Sequence, residues 1–94
     1  MNNLVVQKYG GTSVANTERF QAVADIVVES INNGVNVAVV VSAMAGETQR
    51  LIDLAKEIQA EPDPREFDAL VSSGEQVSAA LLAIALKERN FLSK

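Results

Sequence analysis

Apolar and polar positions change period several times along this chain. Leu4 to Tyr9 reads as a short strand, apolar at its start in Leu4-Val5-Val6 and bounded by Gly10-Gly11. From Thr17 to Asn33 the spacing becomes helical. Phe20, Val23, Ala24, Val27, Val28 and Ile31 fall on one stripe, while Glu18, Arg19, Gln21, Asp25 and Glu29 lie mostly on the other face. Ile26 sits off the stripe. Asn16 or Thr17 suits the N-cap, and Asn33-Gly34 supplies the stop. Val35 to Val41 is a second run, unbroken by polar residues after Asn36, and predicts a strand buried on both faces, as in parallel sheets with helices on either side. The intervening helix has the right length for a crossover, so residues 4–41 read as one βαβ unit.

Ser42-Ala43-Met44-Ala45-Gly46 reads as a loop of mostly small residues. Glu47 to Gln59 carries Leu51, Ile52, Leu54, Ala55 and Ile58 at helical spacing, and Pro62 and Pro64 break it. Arg65 to Val71 predicts a short helix. Ser72 with Glu75, and Ser73 with Gln76, match a capping box that would open another helix from about Glu75 to Arg89. That helix is apolar nearly all round at Leu81, Leu82, Ile84 and Leu86, so it calls for burial on more than one side. No repeat, low-complexity segment or linker interrupts the pattern. Two strands are fewer than the usual sheet of about four to six. A third strand is expected after Phe91-Leu92-Ser93-Lys94, or the sheet is completed by self-association.

Composition narrows the chemistry. Ninety-four residues make one domain at most, and 48% apolar residues suffice for a modest core. A net charge of −4 argues against a nucleic-acid partner, so any anion site must be local. There is no Cys and no His, which removes thiolate chemistry, disulfides and imidazole bases. Met1-Asn2-Asn3 lacks the marks of a signal peptide, and the strongest apolar run, Ala79 to Leu86, is too short to cross a bilayer. The expectation is a cytoplasmic protein with no membrane partner.

In open α/β sheets ligands bind at the carboxyl ends of the strands. Gly10 to Ser13 and Ser42 to Gly46 occupy those ends, and both lead toward helix N-termini that favour anions. Lys8 adds a charge, and Thr12, Ser13 and Ser42 add hydroxyl donors. Neither G-x-x-x-x-G-K-S/T nor G-x-G-x-x-G is present. Each feature also has a plain structural reading: a Gly-Gly turn, a solvated lysine, Ser42 as a cap, Thr48 as an exposed first-turn residue, Glu75 as part of a capping box.

Three blocks add a resemblance. Lys8-Tyr9-Gly10-Gly11-Thr12-Ser13-Val14 resembles the signature K-F/Y-G-G-S/T-S-V/L of the aspartate kinases. Val40-Val41-Ser42-Ala43-Met44-Ala45-Gly46-Glu47-Thr48 resembles that family's V-S-A-M-x-G-x-T block, with Leu51-Ile52-Asp53-Leu54-Ala55 in keeping. Val71-Ser72-Ser73-Gly74-Glu75-Gln76 resembles its V-S-x-G-E block. The resemblance implies the amino acid kinase fold, a three-layer α/β/α sandwich around a mainly parallel sheet, of which residues 1–94 would be the N-terminal portion. It implies transfer of the γ-phosphoryl group of ATP to the β-carboxylate of L-aspartate, the first step toward lysine, threonine and methionine. It assigns the catalytic charge to Lys8 and the ATP phosphates to Lys8, Tyr9, Gly10, Gly11 and Ser13. Ser42, Thr48 and Glu75 fall to the aspartate side, with Glu75 on the ammonium group. Mg²⁺ would accompany ATP, with no metal ligand assigned to this chain, and the parent protein would be a homo-oligomer.

The family's catalytic domain is much longer than this chain. The nucleotide-base pocket and the regulatory domains are expected beyond Lys94, so the isolated chain is expected to be inactive. Two other readings stay open: an amino acid kinase acting on a different carboxylate or a carbamate, and a non-catalytic anion-binding or assembly fragment.

Overall fold

The computed structural model describes residues 3–89. Met1 and Asn2 of the leader reading, and Phe91 to Lys94 before the expected third strand, lie outside the described residues. The order is β1 (Asn3–Tyr9), a 3-10 turn (Gly11–Val14), α1 (Thr17–Asn32), β2 (Val35–Val41), α2 (Glu47–Ile58) and α3 (Pro64–Glu88). β1 and β2 pair in parallel, from Asn3 opposite Val35 to Tyr9 opposite Val41. The predicted βαβ unit is therefore present. Asn16 is its helix cap, accepting a hydrogen bond from the Arg19 amide at 3.0 Å, a contact worth about 1 kcal/mol. Gly34, at φ +83°, follows the last turn.

Phe20, Val23, Ala24 and Val27 of α1 are buried with Val14, Leu82, Ala85 and Leu86, and Tyr9, Val39 and Val41 pack against that cluster. Burial of each larger side chain stabilises by roughly 1.5–3 kcal/mol. α1 and α3 thus share one face of the sheet. The other face displays Leu4, Val6 and Val40, all more than half exposed. This corrects the reading of β2 as buried on both faces. Its burial alternates residue by residue, because among the described residues the helices lie on one side only.

The second half departs further from the sequence pattern. Residues 64–88 form one continuous 25-residue helix where two were predicted. Its start is set upstream: Asp63 accepts from the Glu66 amide at 3.1 Å, and Pro64 occupies the first turn, where a missing N–H costs nothing. The two Ser-x-x-acid/amide matches are interior. Ser72 Oγ donates to the Ala69 carbonyl at 3.1 Å and Ser73 Oγ to the Leu70 carbonyl at 2.6 Å, so neither serine caps. A serine that bonds back to the preceding turn satisfies its hydroxyl without ending the helix.

Continuity also alters the length argument. By length and composition alone α3 could cross a bilayer. Here, however, Gly74, Ser78, Leu82, Ala85 and Leu86 form its buried face, against α1 and α2. Arg89 closes its far end on α1, donating to Asp25 Oδ1 at 2.8 Å and to the Gln21 carbonyl at 3.3 Å. The Cα radius of gyration is 15.6 Å, against about 12–13 Å for a compact domain of this size. The excess reflects α2 and the first turns of α3, where Ile58 is 90% exposed.

Candidate functional site

The first predicted turn leaves the carboxyl end of β1. Lys8 is exposed and pairs in register with Val40, on the sheet face opposite α1. Tyr9 points the other way. Its hydroxyl donates to Gln7 Oε1 at 2.8 Å, and Gln7 Nε2 donates to Ser30 Oγ on α1 at 3.1 Å. Burial pushes the Tyr9 phenol above its ordinary pKa. What Tyr9 brings to the turn is its backbone, not its ring. Gly10 is extended, and its carbonyl accepts from the Ser13 amide at 3.0 Å, closing the 3-10 turn. Fully buried Val14 anchors that turn in the core, leaving Thr12 exposed and Ser13 half-buried.

The second turn leaves β2 beside it. The Ser42 amide donates to the Tyr9 carbonyl at 3.0 Å. Ser42 is exposed, whereas Ala43 is buried. Gly46 adopts φ +79°, a left-handed conformation that suits glycine, and leads directly into α2. Thr48 is exposed in the first turn of α2. Glu47 beside it is held by Arg50, whose Nε donates to Glu47 Oε2 at 3.1 Å. That hydrogen bond, with the charge of the guanidinium, lowers the Glu47 pKa.

The two turns and α3 meet at Ala43. A Cβ placed on Gly11 would lie 3.4 Å from the Ala43 carbonyl oxygen and 3.4 Å from Ala45 Cα. A Cβ placed on Gly74 would lie 2.9 Å from Ala43 Cβ. The three sequence blocks, far apart in the chain, are thus stacked in contact. Glu75 follows Gly74 and is exposed on α3.

Two residues escaped the sequence reading. Gly74 belongs to the third block but carries no role of its own there, although a glycine inside an apolar helical pattern is itself a sign of close packing. Arg19 lines a shallow pocket of about 120 Å³ with Tyr9 and Ser13, on the α1 side of the first turn. A larger groove of about 340 Å³ runs between α1 and α3 past Phe20, Leu81 and Ile84. None of the residues of the three blocks lines it.

The amino acid kinase family profile matches residues 3–94. The chain is 58% identical over 86 residues to an aspartate kinase of Stutzerimonas stutzeri, covering 92% of this chain and 21% of that protein. It is 53% identical over 88 residues to an aspartokinase of a Bacillus species, covering 94% of this chain and 21% of that protein. The chain therefore spans about a fifth of the length of the curated relatives it matches. Among solved structures it superimposes on the aspartate kinase of Synechocystis with a TM-score of 0.90 at 52% identity, covering 93% of this chain and 15% of the other. It superimposes on E. coli aspartokinase III, crystallised with aspartate and ADP, with a TM-score of 0.77 at 28% identity, covering 95% of this chain and 30% of the other.

Proposed function

Because the chain belongs to the amino acid kinase family, we propose that it is the N-terminal part of an aspartate kinase and carries one side of the active site. The reaction is transfer of the γ-phosphoryl group of ATP to the β-carboxylate of L-aspartate, giving 4-phospho-L-aspartate and ADP. The observation that carries this reading is the stacking of the three blocks on Ala43 at the carboxyl ends of two parallel strands.

The carboxylate nucleophile is already ionised at neutral pH, so the reaction needs no His or Cys as its base or nucleophile, and this chain has neither. Phosphoryl transfer depends mainly on positioning and electrostatic stabilisation. Lys8 meets the charge that develops on the transferring phosphoryl group. The Gly10 and Gly11 amides and Ser13 hold phosphate oxygens, with Tyr9 contributing backbone. Ser42 stands near the reacting groups, while Thr48 and Glu75 hold aspartate, Glu75 through the ammonium group. Among the described residues no three Asp or Glu side chains cluster as a metal site. Mg²⁺ accompanies ATP as part of the substrate, and no metal ligand is assigned to this chain. The nucleotide-base pocket and the regulatory domains belong to the longer parent, a cytoplasmic homo-oligomer committed to lysine, threonine and methionine synthesis.

The test is Lys8→Ala in the full-length kinase. Aspartyl phosphate formation should fall about 100-fold or more with the thermal midpoint unchanged. Activity near wild type would overturn the role of Lys8, and a clear preference of the parent for glutamate would overturn the choice of substrate.

A further inference from the structure

We propose that Gly74 is a positioning residue that sets how closely Glu75 of α3 stands to the loop that bears Ser42. The inference rests on the reading of Ser42, Thr48 and Glu75 as the aspartate side. A glycine inside a helix weakens it relative to alanine, yet Gly74 sits near the middle of α3 and is buried. The contact explains its presence. A Cβ there would stand 2.9 Å from Ala43 Cβ, with Glu47 Cγ and Leu51 Cδ1 each at 3.7 Å. Carbon atoms in contact prefer about 3.5–4.0 Å, so even a methyl group forces α3 and the loop apart.

The loop has little room to retreat. On its other side the Ala43 carbonyl and Ala45 Cα stand 3.4 Å from where a Gly11 Cβ would be. Ala43 follows Ser42, and Glu75 follows Gly74. The segment 42–46 is therefore held between two residues without side chains. Their missing Cβ atoms fix how closely Glu75 of α3 approaches the loop that bears Ser42 and the first turn of α2 that bears Thr48. Gly74 touches no substrate itself and acts through the placement of Glu75.

Gly74→Ala in the full-length kinase should lower kcat/KM for aspartate about ten- to a hundredfold. The loss should appear mainly as a raised KM for aspartate, with the KM for ATP little changed. Removing the opposing methyl group in Ala43→Gly/Gly74→Ala should restore most of the aspartate KM. A Gly74→Ala enzyme with wild-type aspartate kinetics would overturn the proposal, as would a folded double variant as impaired as the single one. If the single variant does not fold, the double variant decides on the same two readings. Should the parent phosphorylate another acid while showing the same loss and rescue, the positioning role stands and only the aspartate assignment falls.

Discussion

The Ser42 amide donates a hydrogen bond to the Tyr9 carbonyl at 3.0 Å, one step beyond the last register pair of the sheet, Tyr9 with Val41. This bond carries the parallel ladder into the loops, and it makes neighbours of two turns 30 residues apart (Thr12 and Ser42). It uses only main-chain atoms, so the Ser42 hydroxyl is free for other work.

That division separates a structural role from a functional one. Ser42→Ala retains the amide and its bond to Tyr9. The thermal midpoint of the full-length kinase should therefore stay close to wild type, as is usual for an exposed position. Aspartyl phosphate formation should fall at least about tenfold, the scale of one lost hydrogen bond to a charged group. A large fall in midpoint with unchanged turnover would place the serine in the scaffold instead.

Acid should weaken the start of α2. Arg50 lowers the Glu47 pKa in the folded chain by hydrogen bond and charge. The unfolded state therefore binds the proton more readily than the folded one. The contribution is present above the unfolded carboxylate value and is lost as pH falls through the lowered folded value. Arg50 is exposed and Glu47 partly so, so solvent screens the pair, and added salt should shrink the effect further. Thermal midpoints of wild type and Glu47→Gln, measured from pH 7 down to pH 3, should converge at the acid end. A constant gap across the range would exclude the ion pair as its source.

Ser78 of α3 is fully buried, and its Oγ has no hydrogen-bond partner among the described residues. A buried hydroxyl left unpaired costs about 1–3 kcal/mol. Ser78→Ala should accordingly hold or raise the unfolding free energy, by up to about 1 kcal/mol once the lost volume is counted. A clear destabilisation, read from denaturant midpoints at constant slope, would mean that the hydroxyl has a partner in the full-length protein. Ser78→Leu should destabilise by about 1–3 kcal/mol through overpacking.

The local elements were legible because each follows from neighbours in sequence. The stripe from Phe20 to Val28, the Asn16 cap and the break at Gly34 specify α1. The two apolar runs beside it specify a parallel pair. The three blocks around Lys8, Ser42 and Glu75 could be read directly, with their order and the family they point to. The continuity of α3 was hidden, since Ser72-x-x-Glu75 has the form of a cap. Only the formed helix shows its serines bonding back to Ala69 and Leu70.

By itself, then, the sequence determined the βαβ elements, the family and the residue types at the carboxyl ends of the strands. Periodicity, caps and motif order are local properties of the chain. The tertiary structure decided which face of the sheet is covered, that α3 runs unbroken, and that Gly11 and Gly74 close on opposite sides of Ala43. Those outcomes depend on approach distances between segments far apart in sequence. A missing Cβ has meaning only when the atom it would have struck is in place.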